Sequence, residues 1–358
     1  MNRKEMNAKM ITSLCQGFSN TYLLYTACKL GIFDLIGRGV NTAAELSRSV
    51  KAEERILQKF LRPLVAYDFL TEKDSFYSLT EAGRLLTEDE DGSLKGYVLY
   101  CGGICAKSWS VMAEAAVQGV VPYSLATGKE LFLENEKDET HYGDFNNMMN
   151  FVSESMALSE FLSDVEKADV KNIVDVGGGT GAVIIQFLRH FPDAVGKIMD
   201  LEFVREKAED HLRKNGLEDR CSFAAGDFFE PFTAPADIFI LSRVLHDWGD
   251  EDALKILKNI RKNMTEGSRL YIIEMVVPQE IARKNLGVYI IDLQIWAICG
   301  GMERTMEEYS KLIEAAGLTC RGCSRLSSGE SVLEIRRSDT DDGGRDETAL
   351  PVSEEYRE

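Results

Sequence analysis

The stretch NIVDVGGGTGAVIIQFLRHFPDAVGKIMDLEFV, residues 172–204, decides the fold class of this chain. It opens with a β-branched apolar run, continues with four glycines in five positions, and passes into an apolar segment with helical spacing. A strand, a glycine-rich turn and a helix in this order are typical of a βα unit whose backbone approaches a ligand closely. The stretch therefore predicts a ligand-binding turn at the start of a parallel sheet.

The pattern of strand, turn and helix repeats along the rest of the chain. Strands are predicted at residues 172–176, 196–200, 221–227, 236–241 and 269–276, with a closing pair formed by TCRGCSRL and SVLEIRR. Amphipathic helices such as DALKILKNIRKNM lie between several of them. Strands that alternate with helices indicate a mainly parallel sheet with helices on both faces. We therefore predict an α/β, Rossmann-like, doubly wound domain at residues 166–337.

The N-terminal part has a helical pattern instead. The segment EERILQKFLRPLVAYDFL, residues 53–70, places apolar side chains on one helical face, and the later FYSLT, preceded by a turn, is typical of the wing of a winged helix. The sequence predicts a winged-helix domain at residues 1–100 and a helical connector at 101–165 that contributes to a substrate pocket. Residues 338–358 are acidic and almost without apolar side chains, which predicts a disordered tail.

Composition excludes several classes of function. The formal net charge of −18 repels nucleic acid phosphates and anionic membranes, so a small-molecule partner is favoured and neither nucleic acid nor membrane is expected. The N-terminus has no apolar run of signal-peptide length, which predicts a cytoplasmic protein. Of the eight cysteines, Cys320 and Cys323 have the spacing of half a zinc site, but no second pair completes it, and no metal is predicted.

The glycine turn narrows the choice of ligand. Gly177, Gly179 and Ala182 satisfy the pattern G-x-G-x-x-G/A, and Asp200 follows the first glycine by about twenty residues. This pattern fits NAD as well as other adenosine ligands, since in each case an acid accepts hydrogen bonds from ribose hydroxyls. Asp175 completes D-x-G-x-G-x-G, and a carboxylate-rich loop suits a sulfonium-bearing amino acid better than a pyrophosphate.

The motif GDFF at residues 226–229 points the same way. Asp227 lies at the end of the third predicted strand, where a carboxylate can accept a hydrogen bond from an adenine amino group. Phe228 can then cover the adenine ring. Together with the glycine turn, this motif favours S-adenosylmethionine as the ligand.

The chain resembles a known family in the order and spacing of six motifs, VDVGGGTG, MDL, GDFF, LHDWGDEDALKIL, IIE and GGMERTMEEY. These are similar to motifs of the class I O-methyltransferases of the caffeate and acetylserotonin type, over residues 10–336. The resemblance implies the methyltransferase fold, S-adenosylmethionine as cofactor and a homodimer formed through the N-terminal domain. It also implies methyl transfer to a hydroxyl group of a small aromatic or polyketide-like molecule.

The resemblance further implies which residues contact the cofactor. The implied set is Asp175, Gly177, Gly179, Asp200, Leu201, Gly226, Asp227 and Phe228. Ser242 or Arg243 would lie near the cofactor carboxylate, although many plant members carry lysine at the position of Ser242. This departure leaves the partner of that carboxylate open.

By the same resemblance, His246 in LHDW is the general base, supported by Asp247 and flanked by Glu274 and Glu303. A phenol has a pKa near 10 and imidazole a pKa near 6.5, so full proton transfer is uphill by about 3.5 units, or roughly 5 kcal/mol. A carboxylate hydrogen-bonded to the far ring nitrogen stabilises the imidazolium and narrows this gap. We therefore predict this function for Glu303 or Glu274.

Five residues are candidates for the acceptor pocket because of their place in the pattern: Trp109, Met149, Met156, Asp292 and Trp296. For a methionine or an aromatic residue at helical spacing, core packing is favoured over a place in the pocket. Asp292 differs from the others, since a carboxylate in the apolar stretch IIDLQIWAI needs a partner, and an acceptor hydroxyl is one candidate.

Three other functions compete with O-methyl transfer. The same fold and cofactor serve enzymes with an N, S or C acceptor, and some relatives have lost methyl transfer altogether. An NAD-dependent dehydrogenase would share the glycine turn. A winged-helix DNA-binding regulator is disfavoured because residues 1–100 carry thirteen basic and thirteen acidic residues, without the positive charge that DNA binding needs.

Overall fold

The structure is a computed structural model that describes residues 2–90, 92–132, 139–167 and 169–338. It divides into two compact units, Met1–Val111 with Lys137–Phe151, and Met112–Glu136 with Val152–Glu358. The bounds of the predicted domains and connector stay predictions. The predicted disordered tail falls, apart from Ser338, outside the described residues.

The first unit is built mainly from helices. They span Arg3–Lys29, Ile32–Gly37, Ala43–Val50, Glu54–Ala66, Glu81–Arg84, Lys95–Tyr100 and Ala106–Trp109, with a π-helical turn at Cys101–Cys105. Strands β1 (Leu70–Lys73) and β2 (Phe76–Leu79) form an antiparallel hairpin at the position predicted for the wing. The core of the unit packs around Phe33, Leu46 and Leu61, which are fully buried.

The second unit contains eight helices besides the large sheet among its described residues. They span Met112–Gln118, Pro122–Thr127, Leu158–Leu162, Ala182–His190, Arg205–Lys214, Asp250–Asn263, Leu286–Cys299 and Met306–Ala315, with 3-10 turns at Glu202–Val204, Leu245–Asp247 and Arg283–Asn285. A further helix, Glu139–Ser155, belongs to the first unit up to Phe151 and to the second unit from Val152. Among the described residues, no helix combines the length and apolar content that crossing a membrane requires.

Seven strands form the large sheet, and the sequence predicted each of them. They are β3 (Asn172–Val176), β4 (Val195–Asp200), β5 (Cys221–Ala225), β6 (Ile238–Ser242), β7 (Arg269–Glu274), β10 (Leu318–Arg325) and β11 (Ser331–Arg337). The predicted strand 269–276 ends at Glu274. The short β8 (Val276–Val277) follows it and pairs with β9 (Arg304–Thr305) in a separate parallel ladder.

The strand order is β10-β11-β7-β6-β3-β4-β5, and β3, β4, β5, β6 and β7 run parallel. The predicted doubly wound, mainly parallel sheet is therefore confirmed, with an antiparallel pair, β10 and β11, at one edge. The chain runs outward from β3 to β5 and then returns to place β6 on the other side of β3. Ligands bind at such a reversal, outside the carboxyl ends of the strands. The glycine turn follows β3, and the His246 turn follows β6, at this same edge.

Candidate active site

The glycine turn after β3 has the backbone that the sequence predicts. Gly177 has φ +68° and Gly179 φ +55°, a region in which residues with a Cβ are strained. A Cβ at Gly177 would lie 2.9 Å from Val244 Cγ2 and 3.3 Å from the Phe228 ring, whereas a Cβ at Gly179 would meet nothing within 4 Å. Gly177 thus allows close packing, and Gly179 leaves bare backbone beside open space.

Two carboxylates lie against this turn. Asp200, at the end of β4, accepts hydrogen bonds from the amides of Gly179 and Leu201, each at 2.7 Å. Asp175 is 1% exposed, and neither of its carboxylate oxygens has a hydrogen-bond partner among the described residues. Burial, together with the charge of Asp200, raises the pKa of Asp175 to about 7, against a smaller opposing effect of the Ile184 amide. Burial also raises the pKa of Asp200.

The GDFF motif forms a tight turn after β5. Gly226 donates its amide proton to the Asp200 carbonyl oxygen at 2.9 Å, which ties the turn to the end of β4. Asp227 is exposed and accepts a hydrogen bond from the Phe229 amide at 2.8 Å, so it has the local role of a turn residue. Phe228 is half-buried and lies beside Gly177. The proposed contacts of Asp227 and Phe228 with adenine stay predictions.

Ser242 and Arg243, at the end of β6, offer unsatisfied donors. Ser242 Oγ and Arg243 Nε are buried and make no hydrogen bond within the described part of the chain. Arg243 also has φ +55°, which is uncommon outside glycine and often marks a functional constraint. Buried donors of this kind normally have a partner. An anionic group such as an amino-acid carboxylate would satisfy them.

His246 follows β6 in the 3-10 turn Leu245–Asp247 and is 2% exposed. Its Nδ1 lies 2.8 Å from Glu303 Oε1. An ionised carboxylate only accepts hydrogen bonds, so Nδ1–H is the donor and Nε2 carries the free lone pair. The structure thus brings together His246 and Glu303, which are far apart in the sequence.

Glu274, the last residue of β7, has two different contacts. Its Oε1 accepts hydrogen bonds from the amides of Val244, at 3.0 Å, and Leu245, at 2.8 Å. Its Oε2 has no hydrogen-bond partner in the described residues and lies 3.6 Å from His246 Nδ1. Glu274 therefore fixes the backbone of the turn and adds negative charge beside the ring.

The charges around His246 change its basicity. Burial lowers the pKa of the imidazole, but the charges of Glu274, Asp247 and Glu303 and the hydrogen bond to Glu303 outweigh it and raise this pKa to about 9. Burial is the main cause that raises the pKa of Glu274 to about 7, against the opposing charge of His246. The cluster therefore holds at least one proton at neutral pH, and His246 is a stronger base than a histidine in water.

Asp247 and Asp292 lie beside this cluster. Asp247 Oδ1 is 3.6 Å from His246 Nε2 and accepts a hydrogen bond from the Cys299 thiol at 3.3 Å. Asp292 accepts the amide proton of Glu303 at 2.8 Å. Burial raises the pKa of both aspartates. The partner that Asp292 needs in its apolar stretch is thus found in the main chain, and its contact with an acceptor hydroxyl stays a prediction.

The other pocket candidates are less clearly placed. Met156 is 3% exposed, which fits core packing, and Trp296 is half-buried on the helix that carries Asp292. Trp109 and Met149 belong to the first unit, so their part in the acceptor pocket stays a prediction. A cavity of about 510 Å³ in the second unit lies at Glu160, Tyr271 and Arg336, and no predicted site residue lines it.

Sequence reasoning missed three residues that hold the His246 turn in place. The fully buried Arg304 donates to the carbonyl oxygens of Leu245 and Trp248, both at 2.8 Å. A Cβ at Gly301 would lie 1.9 Å from the His246 carbonyl oxygen, and Cys299 contacts Asp247. The motif GGMERT contained a signal for two of them, because it places Gly301 and Arg304 on either side of Glu303.

Comparison with known proteins identifies the family. The O-methyltransferase domain family matches residues 109–319 of this chain, and the O-methyltransferase dimerisation domain family matches residues 12–89. A mitomycin biosynthesis 6-O-methyltransferase of Streptomyces lavendulae is 28% identical, over 92% of this chain and 94% of the relative. An acetylserotonin O-methyltransferase of Gallus gallus is 28% identical, over 86% of this chain and 91% of the relative.

A solved structure supports the same assignment. The O-methyltransferase NcsB1 of neocarzinostatin biosynthesis, in complex with S-adenosylmethionine and 2-hydroxy-5-methyl naphthoic acid, has a TM-score of 0.75 and 27% identity, over 89% of this chain and 96% of that chain. The glycine turn and the unsatisfied donors of Ser242 and Arg243 fit this cofactor. The chain therefore belongs to the O-methyltransferase family and is an S-adenosylmethionine-dependent O-methyltransferase.

Proposed function

We propose that this enzyme methylates a hydroxyl group of a small aromatic or polyketide-like molecule, with His246 as the general base. One observation carries the proposal: His246 Nδ1 is held 2.8 Å from Glu303 Oε1, which leaves Nε2 as the ring nitrogen able to accept a proton. The pKa of His246, raised to about 9, reduces the gap to a phenol to about one unit, or roughly 1.4 kcal/mol.

The remaining residues bind and orient the reactants. Gly179 and Asp200 would hold the adenosine part of S-adenosylmethionine, and Ser242 and Arg243 its carboxylate. When bound, the cofactor supplies a methyl group made electrophilic by a positively charged sulfur. Nε2 of His246 accepts the proton of the acceptor hydroxyl, and the charges of Glu303 and Glu274 stabilise the imidazolium that results. Most of the rate enhancement then comes from alignment of the hydroxyl with the methyl group and from proton removal.

The acceptor class rests on the names of relatives. The comparison with a mitomycin enzyme and with a structure that binds a naphthoic acid supports a hydroxylated aromatic or polyketide-like acceptor. The experiment is mass spectrometry of reactions with a panel of phenols, naphthols, indoles and thiols, in which the product gains the mass of one CH₂ unit. Methylation of thiols or indole nitrogen with no reaction of any phenol would contradict the proposal.

Replacement of Arg243 tests the partner of the cofactor carboxylate. We expect Arg243→Gly to weaken the binding of S-adenosylhomocysteine by about tenfold to a hundredfold, since a hydrogen bond to a charged group contributes about 1.5–3 kcal/mol. Because φ at Arg243 is +55°, glycine relieves backbone strain there, and the thermal midpoint should not fall. Calorimetric titration measures the affinity, and Arg38→Gly, a change of a largely exposed arginine of the first unit, is the control. An affinity within twofold of wild type would exclude a contact between Arg243 and the cofactor.

We also propose a homodimer formed through a winged-helix N-terminal domain. The match to the dimerisation domain and the β1–β2 hairpin support it. The helix Arg3–Lys29 further carries an exposed apolar stripe at four-residue spacing, formed by Met6, Met10, Leu14, Phe18 and Tyr22. Exposed apolar stripes of this kind are typical of interfaces between subunits. The cytoplasmic location stays a prediction from the sequence.

Charges in this stripe should prevent dimer formation. We expect the double variant Leu14→Glu/Phe18→Glu to sediment as a monomer at micromolar concentration, because two carboxylates cannot be buried in an apolar interface without partners. Gln16→Glu, which helical geometry places away from the stripe, is the control and should remain dimeric. A wild-type chain that sediments as a monomer would refute the homodimer.

A further inference from the structure

Arg304 is 0% exposed, although it carries a full positive charge. A buried guanidinium costs free energy unless its donors are matched by acceptors with good geometry. Arg304 meets that condition with four hydrogen bonds, and all of them go to residues 245–250. The residue thus has a defined target, the turn that carries His246.

The residues that Arg304 contacts lie on both sides of His246 in the sequence. Nη1 donates to the Leu245 carbonyl oxygen, just before His246, and Nη2 to the Trp248 carbonyl oxygen, two residues after it, both at 2.8 Å. Nε and Nη2 also donate to Asp250 Oδ1, at 3.0 and 2.8 Å. Three donors in one rigid plane therefore fix both ends of the turn, which a flexible side chain with a single charged nitrogen cannot do.

The neighbours of Arg304 hold the same turn from the same side. The amide of Met302 donates to the His246 carbonyl oxygen at 2.8 Å, and Glu303 binds the His246 ring. Gly301 allows this approach, because a Cβ there would lie 1.9 Å from the His246 carbonyl oxygen. We call residues 301–305 the clamp segment. The pairing of β9 with β8, the short strand after Glu274, anchors the clamp segment.

We propose that Arg304 is a positioning residue that sets the distances from His246 to Glu303 and Glu274, and through them the basicity of the ring. This inference rests on the proposed function of His246 as the base. Arg304 itself does not contact the reactants. By fixing the Leu245 and Trp248 carbonyl oxygens, it keeps the ring where both carboxylates act on it, and a displacement of about 1 Å at a reacting group can cost about a hundredfold in rate.

The alternative is that Arg304 only stabilises the fold. The two cases differ in the pH dependence of turnover, because a purely structural residue would lower the thermal midpoint without a change in the pKa of the base. If Arg304 positions the ring, its loss weakens the influence of both carboxylates, and burial then lowers the basicity of His246. The rise of turnover with pH should move to lower pH.

The experiment compares Arg304→Lys with wild type in steady-state kinetics from pH 6 to 10. We expect a tenfold to hundredfold decrease in kcat, about the range for misplaced groups. The KM for S-adenosylmethionine should remain within about threefold, since the cofactor-binding residues keep their contacts. The pH at which turnover levels off should be lower than in wild type. Titration of His246 by ¹⁵N NMR provides a readout that is independent of activity.

Two further variants make the outcome decisive. Asp252→Asn should retain nearly wild-type kcat and pH dependence, because Asp252 is an exposed carboxylate in the first turn of the helix Asp250–Asn263 and is not among the hydrogen-bond partners of Arg304. An unchanged pH profile in Arg304→Lys would overturn the inference, and so would a variant that does not fold. Either result would mean that Arg304 supports the fold and does not position the His246 turn. Wild-type turnover in His246→Ala would instead refute the proposed base, so the two failures are distinguishable.

Discussion

His246→Ala should lower turnover by about two to four orders of magnitude, the usual contribution of a general base. Nδ1 of the ring lies 2.8 Å from Glu303 Oε1 and 3.6 Å from Glu274 Oε2, and alanine cannot accept the proton of the acceptor hydroxyl. Binding of S-adenosylhomocysteine should stay within about twofold of wild type, because the glycine turn and Asp200 are unchanged. Single-turnover kinetics and calorimetric titration measure the two quantities.

A matched control separates the loss of the base from the loss of a buried side chain. His190, at the end of the helix Ala182–His190, is also a partly buried histidine of the second unit, and its Nε2 lies 3.2 Å from the Val165 carbonyl oxygen. His190→Ala removes a partly buried imidazole without a contact to a predicted site residue and should retain most of the turnover. Turnover of His246→Ala close to wild type would mean that another group, or water, accepts the proton.

Turnover should rise about tenfold per pH unit from pH 7 and level off near pH 9. Only the neutral imidazole accepts a proton, and a pKa of about 9 means that His246 is mostly protonated at pH 7 and loses its proton as the pH rises through 9. A histidine with the ordinary pKa of about 6.5 would already give constant turnover above pH 7.5. The measurement is kcat/KM for the acceptor between pH 6 and 10.

Glu303→Gln tests the cause of this shift. Glutamine removes one of the charges that raise the pKa of His246, whereas its amide oxygen can still accept the hydrogen bond from Nδ1. Turnover should level off at a lower pH, and its maximum should fall because the weaker base has a larger gap to a phenol. Glu307→Gln, a change of an exposed carboxylate paired with Lys311, is the control and should leave the profile unchanged. A wild-type profile that levels off near pH 6.5 would show that the carboxylates do not raise the basicity of the ring.

Much of the fold was predictable because local patterns determine it. The β-branched run before the glycines predicted β3, and repeated alternation of strand and helix predicted a parallel sheet, since parallel strands need helical crossovers. Because β3 and β6 are parallel neighbours in this topology, their carboxyl ends lie side by side. Gly177 and His246, which follow these ends, are therefore placed at one edge of the sheet. The sequence did not show that β7 ends at Glu274, because Met275 and Val276 continue its apolar pattern. Val276 belongs instead to β8, which pairs with β9.

The candidate site was predictable in its residue types but less so in its contacts. The resemblance placed both Glu274 and Glu303 beside His246, but it could not tell which one binds the ring and which one binds the turn. That division depends on side-chain directions set by β7 and the clamp segment. For Asp227 and Asp292 the structure adds local hydrogen bonds to main-chain amides that no spacing rule predicts. Arg304 was missed because a charged residue in a sequence usually indicates an exposed surface.

The two contacts of Glu274 have a consequence for how this enzyme family can diverge. One oxygen of Glu274 accepts hydrogen bonds from the backbone that follows β6, and the other lies near the imidazole. Glu274 therefore has a structural role that remains when proton removal is no longer needed. A descendant that abandons methylation can exchange its histidine and keep both hydrogen bonds from Glu274 to the turn, whereas an exchange of this glutamate removes them. A relative that retains glutamate at the position of Glu274 but has lost the histidine at the position of His246 would be evidence for this order of changes.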